Sequence, residues 1–279
     1  MRAKDQSIIY ARTLEFEPEA SPEIVFIPRG HSFAATGQEG RNGGISWQSR
    51  YALAGIDGVG KKIILDGVNE KGLAAGIFYL PGLIETWDMR AFESEGSCPM
   101  PDISAWALSN CSTVKEVKQS LPHLWIEKGM GVRTEPAGSS LHYSIHDRLG
   151  NHLVIGLSGG KLNMYSTPAK AFESSPVLDW HMTHSGISNW RTAGSCFIRV
   201  AARSLSTMPL NNAEEAVLQA FCILHANTGH GEENSRFRTC VNDLQNRRFF
   251  FYTGDKRQIQ VVDLMKMNLD GRKVVRFQA

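Results

Sequence analysis

GVNEKGLAAGIFYLPG, Gly67 to Gly82, decides the character of the chain. Its glycines punctuate two apolar strands, and the tight polar turn between them falls on Asn69, Glu70 and Lys71. Pro81 and Gly82 bend the backbone at the end of the second strand, because proline fixes its own φ and has no N–H for a ladder. The preceding stretches read the same way. IVFIP (Ile24 to Pro28), YALAGI (Tyr51 to Ile56) and KIILDGV (Lys62 to Val68) are short apolar runs separated by the turn material GQEGRNGG and DGVG. Strands joined by glycine turns are therefore expected over the first third of the chain.

Helices and further strands follow. In STVKEVKQSLPHL, Thr113 and Glu116 stand at capping-box spacing, Val114, Val117 and Leu121 form a helical stripe, and Pro122 is expected to end the helix. LHYSIHD and HLVIGL return to strand. NNAEEAVLQAFCILHAN predicts a second helix, with Asn212 as cap, Glu214 and Glu215 in the first turn and Val217, Phe221 and Leu224 on one face. RRFFFYT and QIQVVDL predict a hairpin around GDKR. No repeat, low-complexity tract or linker marks a boundary, so a single α+β domain spanning residues 1–279 is expected, its sheets covered by helices.

Hydrophobic residues make up 42% of the chain and charged residues 21%, the balance of a globular protein with a substantial core. Thirty Lys and Arg against 28 Asp and Glu leave a net charge of +2, which gives no field for nucleic acid or an acidic membrane, so a small-molecule substrate is expected. Cys98, Cys111, Cys196, Cys222 and Cys240 are odd in number and contain no CxxC pair, which argues against a disulfide framework or a structural zinc. No run approaches about 18 apolar residues, and the N-terminus lacks a basic-then-apolar signal pattern. A cytoplasmic location is the expectation for these residues, and a periplasmic one if a signal segment stands upstream.

Three motifs invite chemistry and fail. GIDGVGKK, Gly55 to Lys62, approaches the phosphate loop GxxxxGK[ST], but Lys62 stands where the magnesium-binding hydroxyl belongs and the following IILDGV is strand instead of helix. His181 with His184, and His225 with His230, lack the third ligand and spacing of a zinc motif, so neither metal nor cofactor is expected. No GxSxG elbow is present.

IIYARTLEF, Ile8 to Phe16, raises a different question. It has the composition of a buried strand and carries Arg12 and Glu15. An unpaired buried charge costs several kcal/mol, so these two groups must face solvent, pair, or serve a site.

ARTLEF, then FIPRGHSF with Trp47, then DGVNEKGLAAGIFYLPG, then SSPVLDWHMTH, and finally DLQNRRFFFYTGDKRQIQVVDL stand in the order found in the choloylglycine hydrolase and penicillin V acylase family, and the chain resembles that family over nearly its whole length. The resemblance implies an N-terminal-nucleophile hydrolase with a four-layer αββα sandwich, and hydrolysis of a linear amide such as a conjugated bile salt, penicillin V or an acyl-homoserine lactone. It implies a homo-oligomer, commonly a tetramer. The family attacks the amide with an N-terminal cysteine whose own α-amine is the base. By resemblance Arg12 lies beside the thiol and favours its thiolate, while Glu15, where the family usually has Asp, holds the α-amino group. Tyr79 falls on the backbone oxyanion position. Ser174 stands where the family has its oxyanion asparagine, and Cys196 where it has an active-site arginine. The nucleophile itself belongs roughly half a dozen residues before Met1. A catalytically inactive relative that keeps the fold and binds an acyl or amide ligand is the alternative expectation.

Overall fold

The computed structural model describes residues 1–14, 22–34, 46–58, 63–78, 102–127, 142–158, 161–166, 209–226, 238–253 and 258–277. Among these, β1 (Ile9–Leu14), β11 (Arg238–Asp243), β12 (Arg248–Thr253) and β13 (Ile259–Asp263) form a four-stranded sheet in that order. An eight-stranded sheet runs β10 (Lys161–Tyr165), β9 (His152–Ser158), β8 (His142–Asp147), β7 (Leu73–Phe78), β6 (Ile64–Asn69), β5 (Leu53–Asp57), β2 (Glu23–Ile27) and β14 (Val275–Phe277). Every neighbouring pair in both sheets is antiparallel. β3 (Ser32–Ala34) and β4 (Ser46–Gln48) make a separate small hairpin in which Phe33 stacks on Trp47.

Among the described residues three α-helices flank the sheets: α1 (Asp102–Asn110), α2 (Val114–Glu127) and α3 (Ala213–His225). One apolar cluster joins α1 and α2 to the eight-stranded sheet through Ile103, Leu108, Val117, Leu73, Ala75 and Ile145. A second lies between the sheets, with Ile24, Phe26, Val68 and Ala74 facing Tyr10, Leu14, Phe249 and Phe251. A third seats Val217, Ala220 and Phe221 of α3 on Ile9 and Val241. Helix, sheet, sheet, helix is the four-layer αββα sandwich that the resemblance implies.

The two central layers explain the glycine-rich motif. Every residue of β7 is buried, because alternate side chains enter the helical and the inter-sheet clusters. Its turn is organised by Asn69, wholly buried, whose amide donates to the carbonyls of Leu108 and Cys111 and whose oxygen accepts from the N–H groups of Lys71 and Leu73. Gly72 closes the turn at φ +79°, where a Cβ would meet the Leu244 carbonyl. Two motif blocks meet at this end of the sandwich: Arg29 of FIPRG grips Glu70 of NEKG with both Nε and Nη2, at 2.9 to 3.1 Å.

GIDGVGKK begins inside β5, and the next described element is the antiparallel strand β6 from Ile64, which excludes a phosphate loop opening a helix. Two expectations need correction. α2 continues through Pro122 to Glu127; the proline removes one N–H donor without stopping the helix. The capping box is also shifted: Thr113 Oγ1 accepts from the Glu116 N–H, but the Glu116 carboxylate returns to the N–H and hydroxyl of Ser112. The expected Asn212 cap forms, accepting from the Glu215 N–H at 3.0 Å.

Candidate active site

β1 lies in an inner layer of the sandwich, but it borders its sheet. It pairs with β11 on one side; on the other, among the described residues, only Met1 and Arg2 lie against it, Met1 exchanging hydrogen bonds with Ile9 and Arg2 opposing Ile8. Tyr10 and Arg12 alternate with Ala11, so both face the eight-stranded sheet.

Arg12 is 9% exposed. Its Nη1 donates to the Ile77 carbonyl at 2.5 Å, with longer contacts to the Leu65 carbonyl at 3.5 Å and from Nε to the Thr13 carbonyl at 3.4 Å. The guanidinium carbon lies 4.1 Å from the centre of the Phe78 ring. Asp66, fully buried on β6, approaches Arg12 Nε at 4.0 Å, too far for a hydrogen bond. The Arg12 charge is therefore held by carbonyls and an aromatic face, with a carboxylate nearby that does not clasp it.

Asp66 accepts from Asn242 Nδ2 at 2.9 Å through Oδ1, leaving Oδ2 without a hydrogen-bond partner. The Tyr10 hydroxyl is close enough to favour the ionised carboxyl, yet it completes no hydrogen bond of good geometry. Burial raises the Asp66 pKa to about 6; Arg12, Asn242 and Tyr10 oppose that rise without cancelling it. Burial, reinforced by Asp66, raises the Tyr10 pKa well above its ordinary value and keeps the phenol protonated. These tips converge over Gly76: a Cβ there would lie 2.8 Å from Asp66 Oδ2 and 3.0 Å from Arg12 Nη1, and closer still to Tyr10 Oη. Only glycine leaves room for the three polar groups at that point of β7.

Beside this cluster the Tyr10 ring stacks on His146 at 4.4 Å, and Ser144 Oγ lies 2.6 Å from His146 Nε2. Burial, with His152 and the N-terminal ammonium group adding to it, lowers the His146 pKa to about 3. A neutral His146 leaves Arg12 and Asp66 as the charges here among the described residues. Among the described residues no group of three His, Cys, Asp or Glu could hold a metal ion, and no helix is long and apolar enough to cross a membrane.

Of the residues singled out in the sequence, Arg12 is thus placed. Glu15, Tyr79, Ser174 and Cys196 lie outside the described residues, as do His181, His184 and His230. Asp66, Tyr10 and Asn242 went unnoticed in the sequence. Asp66 carried a usable signal, since an acid inside the apolar run IILDGV poses the same question as an arginine inside IIYARTLEF.

A model of the family described as linear amide C-N hydrolases, choloylglycine hydrolase family, matches residues 1–195 and 189–277. The two matches overlap over residues 189–195. Bile salt hydrolase/transferase of Clostridium perfringens is 23% identical over an alignment covering 100% of this chain and 95% of that protein. Penicillin V acylase of Pectobacterium atrosepticum is 24% identical, covering 95% and 79%. Among solved structures, penicillin V acylase of Agrobacterium tumefaciens superposes with a TM-score of 0.74 at 18% identity, covering 99% of this chain and 89% of that one. A cysteine-to-alanine mutant of conjugated bile acid hydrolase from Clostridium perfringens gives 0.74 at 22%, covering 100% and 95%.

Proposed function

The chain belongs to the linear amide C–N hydrolases of the choloylglycine hydrolase family, and we propose that it hydrolyses a small-molecule linear amide with Arg12 as the fixed positive charge beside the nucleophile. The observation that carries this reading is the placement of Arg12, buried on the sheet-bordering strand β1 and hydrogen-bonded to no carboxylate among the described residues. Because Met1 opposes Ile9 and Arg2 opposes Ile8, a strand continued upstream in that register passes Tyr10, Ala11 and Arg12 in turn. A cysteine at the head of such a strand would bring its thiolate into the field of a cation that low-dielectric surroundings screen weakly.

In the chemistry that the family resemblance implies, the thiolate sulfur attacks the amide carbonyl carbon. The C–N bond breaks as the amine leaves with a proton from the α-ammonium group, and water releases the acid from the thioester. Glu15 holds the α-amino group in this reading, while the backbone N–H of Tyr79 and the side chain of Ser174 face the developing oxyanion. Ser174 is a poorer donor than asparagine, and Cys196 brings no charge where the family has arginine. Loss of one oxyanion donor costs on the order of 10² to 10³ in turnover, so weak catalysis is expected. Those two substitutions favour a second reading, in which the fold binds an acyl or amide ligand without turning it over.

The test compares residues 1–279 with the same chain preceded by a short Cys-initiated strand, assayed on penicillin V, conjugated bile salts and acyl-homoserine lactones. Residues 1–279 should hydrolyse none of them. The extended chain should show weak turnover that Arg12→Met abolishes and Cys196→Ala leaves intact. Robust turnover by residues 1–279 that survives Cys196→Ala would overturn the mechanism, and turnover lost in that variant would make Cys196 the nucleophile. Binding without turnover in the extended chain would establish the second reading.

A further inference from the structure

The opposite end of the sandwich from Arg12 holds a cleft that the amide chemistry does not use. Its cavity measures about 340 Å³ and is walled by turns, with Glu70 and Lys71 after β6, Arg148 and Leu149 after β8, and Arg247 after β11. β6 separates the two places: Leu65 touches Arg12, while Glu70, five residues on, lines the cleft, a span of roughly 17 Å in a strand.

The charges in the cleft are unevenly committed. Both carboxylates are already occupied. Glu70 is gripped by Arg29, and Asp147 accepts from the N–H groups of Val114, Leu149 and Asn151 and from Asn151 Nδ2. Three cations remain. Lys71 lies 3.8 Å from an oxygen of the already occupied Glu70 and 5.2 Å from the centre of the Tyr51 ring, Arg247 donates to the Gln245 carbonyl, and among the described residues Arg148 has no hydrogen bond or ion pair. The backbone adds a second observation. Arg247 sits at φ +56°, a left-handed conformation that glycine adopts at no cost and a branched or long side chain adopts against steric resistance. An arginine kept there, with its side chain on a cavity that Lys71 and Arg148 also line, points to a ligand that the charge serves.

We propose that this cleft binds a compact, multiply charged oxyanion, a phosphate ester or a polycarboxylate, held by Lys71, Arg148 and Arg247. The three cations line one cavity, so an anion bridging them would offset their mutual repulsion with charge-assisted hydrogen bonds. The cavity is of a size for a small metabolite. Nothing in this binding draws on the nucleophile or on Arg12.

Inorganic phosphate and citrate serve as probes on the purified 279-residue chain. Thermal unfolding is followed as each is titrated, against sodium chloride at matched ionic strength. A saturable rise in midpoint with phosphate or citrate and none with chloride is expected, and the tighter of the two probes assigns the ligand to the phosphate or carboxylate class. Arg247→Gly should weaken binding at least tenfold while leaving the anion-free midpoint unchanged or higher, since it removes the cation and relaxes the turn together. Arg148→Gln should weaken binding similarly, and it carries the test by itself should the glycine variant fold poorly. An equal response to chloride, or unchanged affinity in the folded variants, would overturn the proposal.

Discussion

Arg29 and Arg12 each come from a motif block that carries the family resemblance, and the sandwich treats them differently. Arg29 meets Glu70 through paired hydrogen bonds at 2.9 to 3.1 Å and also reaches Asp270, and these acceptors raise its pKa. Arg12 is more deeply buried, yet its nearest carboxylate among the described residues stays at 4.0 Å. A clasped arginine has its field largely cancelled and can serve only architecture, here joining the end of β2 to the β6–β7 turn. An unclasped one keeps its field, at the cost of leaving a buried carboxyl that ionises reluctantly. The contrast separates a structural arginine from one placed to act, although both sit in equally conspicuous motifs.

The contrast is broken most severely by Arg29→Ala. Glu70 is 3% exposed in its side chain, and without Arg29 its remaining cation is Lys71 at 3.8 Å. Removing one partner of a buried pair leaves an uncompensated charge, and with Arg29 itself about a third exposed the expected loss is about 3 kcal/mol, measured by urea unfolding at pH 7.

Asp66→Asn tests the other arginine through its pH dependence. The folded pKa of Asp66, about 6, lies above the ordinary value of 3.8. The native state therefore binds the proton more tightly, and the stability this group contributes is fully present below pH 3.8 and is lost as pH rises through 6. The wild-type chain should lose about 2 to 3 kcal/mol between pH 4 and pH 7 that the Asn variant does not lose. Parallel stability profiles for the two proteins would show that Asp66 is already ionised and clasped by Arg12.

Much of this architecture was legible because alternating or continuous apolar runs and glycine turns report strands directly. Asn69, Glu70 and Lys71 fell on the turn where they were read, and Asn212 on its cap. Pro122 misled because a proline within a helix costs one bond, which tertiary packing of Val117 and Leu121 can outweigh. The Arg12 surroundings were only half legible. An arginine in an apolar strand announces a polar environment but does not name the partner, and Asp66 lies on a strand of the other sheet, 54 positions along the chain. Register within a sheet follows from pattern and turn length, whereas the stacking of one sheet on another leaves no periodic mark in the sequence.

Gly76→Ala sharpens the same question without changing a charge. The added methyl would press on Tyr10 Oη, Asp66 Oδ2 and Arg12 Nη1, all tips of side chains anchored in packed strands. Overpacking of this size costs about 1 to 2 kcal/mol when the neighbours can shift. In a catalytically competent extended chain the activity loss should exceed what that stability change explains, because Arg12 is displaced from the Ile77 carbonyl. Calorimetry on the variant, paired with its turnover, separates the two effects.

Asp270→Asn should have the smallest effect, and it completes the comparison. Arg29 Nη1 donates to Asp270 Oδ1 at 3.1 Å, a distance indistinguishable from those to Glu70, so geometry alone would rank the two acceptors together. Their surroundings differ: the Asp270 side chain is 76% exposed and that of Glu70 is 3%. Water solvates the Asp270 carboxylate nearly as well as the arginine does, salt screens the pair, and holding two side chains together costs rotamer entropy. The expected change is within about 0.5 kcal/mol, shrinking further in 0.5 M salt, as measured by the shift in urea midpoint. Should Asp270→Asn approach the loss seen for Arg29→Ala, the strength of the clasp would reside in the exposed acceptor, and burial of Glu70 would no longer distinguish the structural arginine from Arg12.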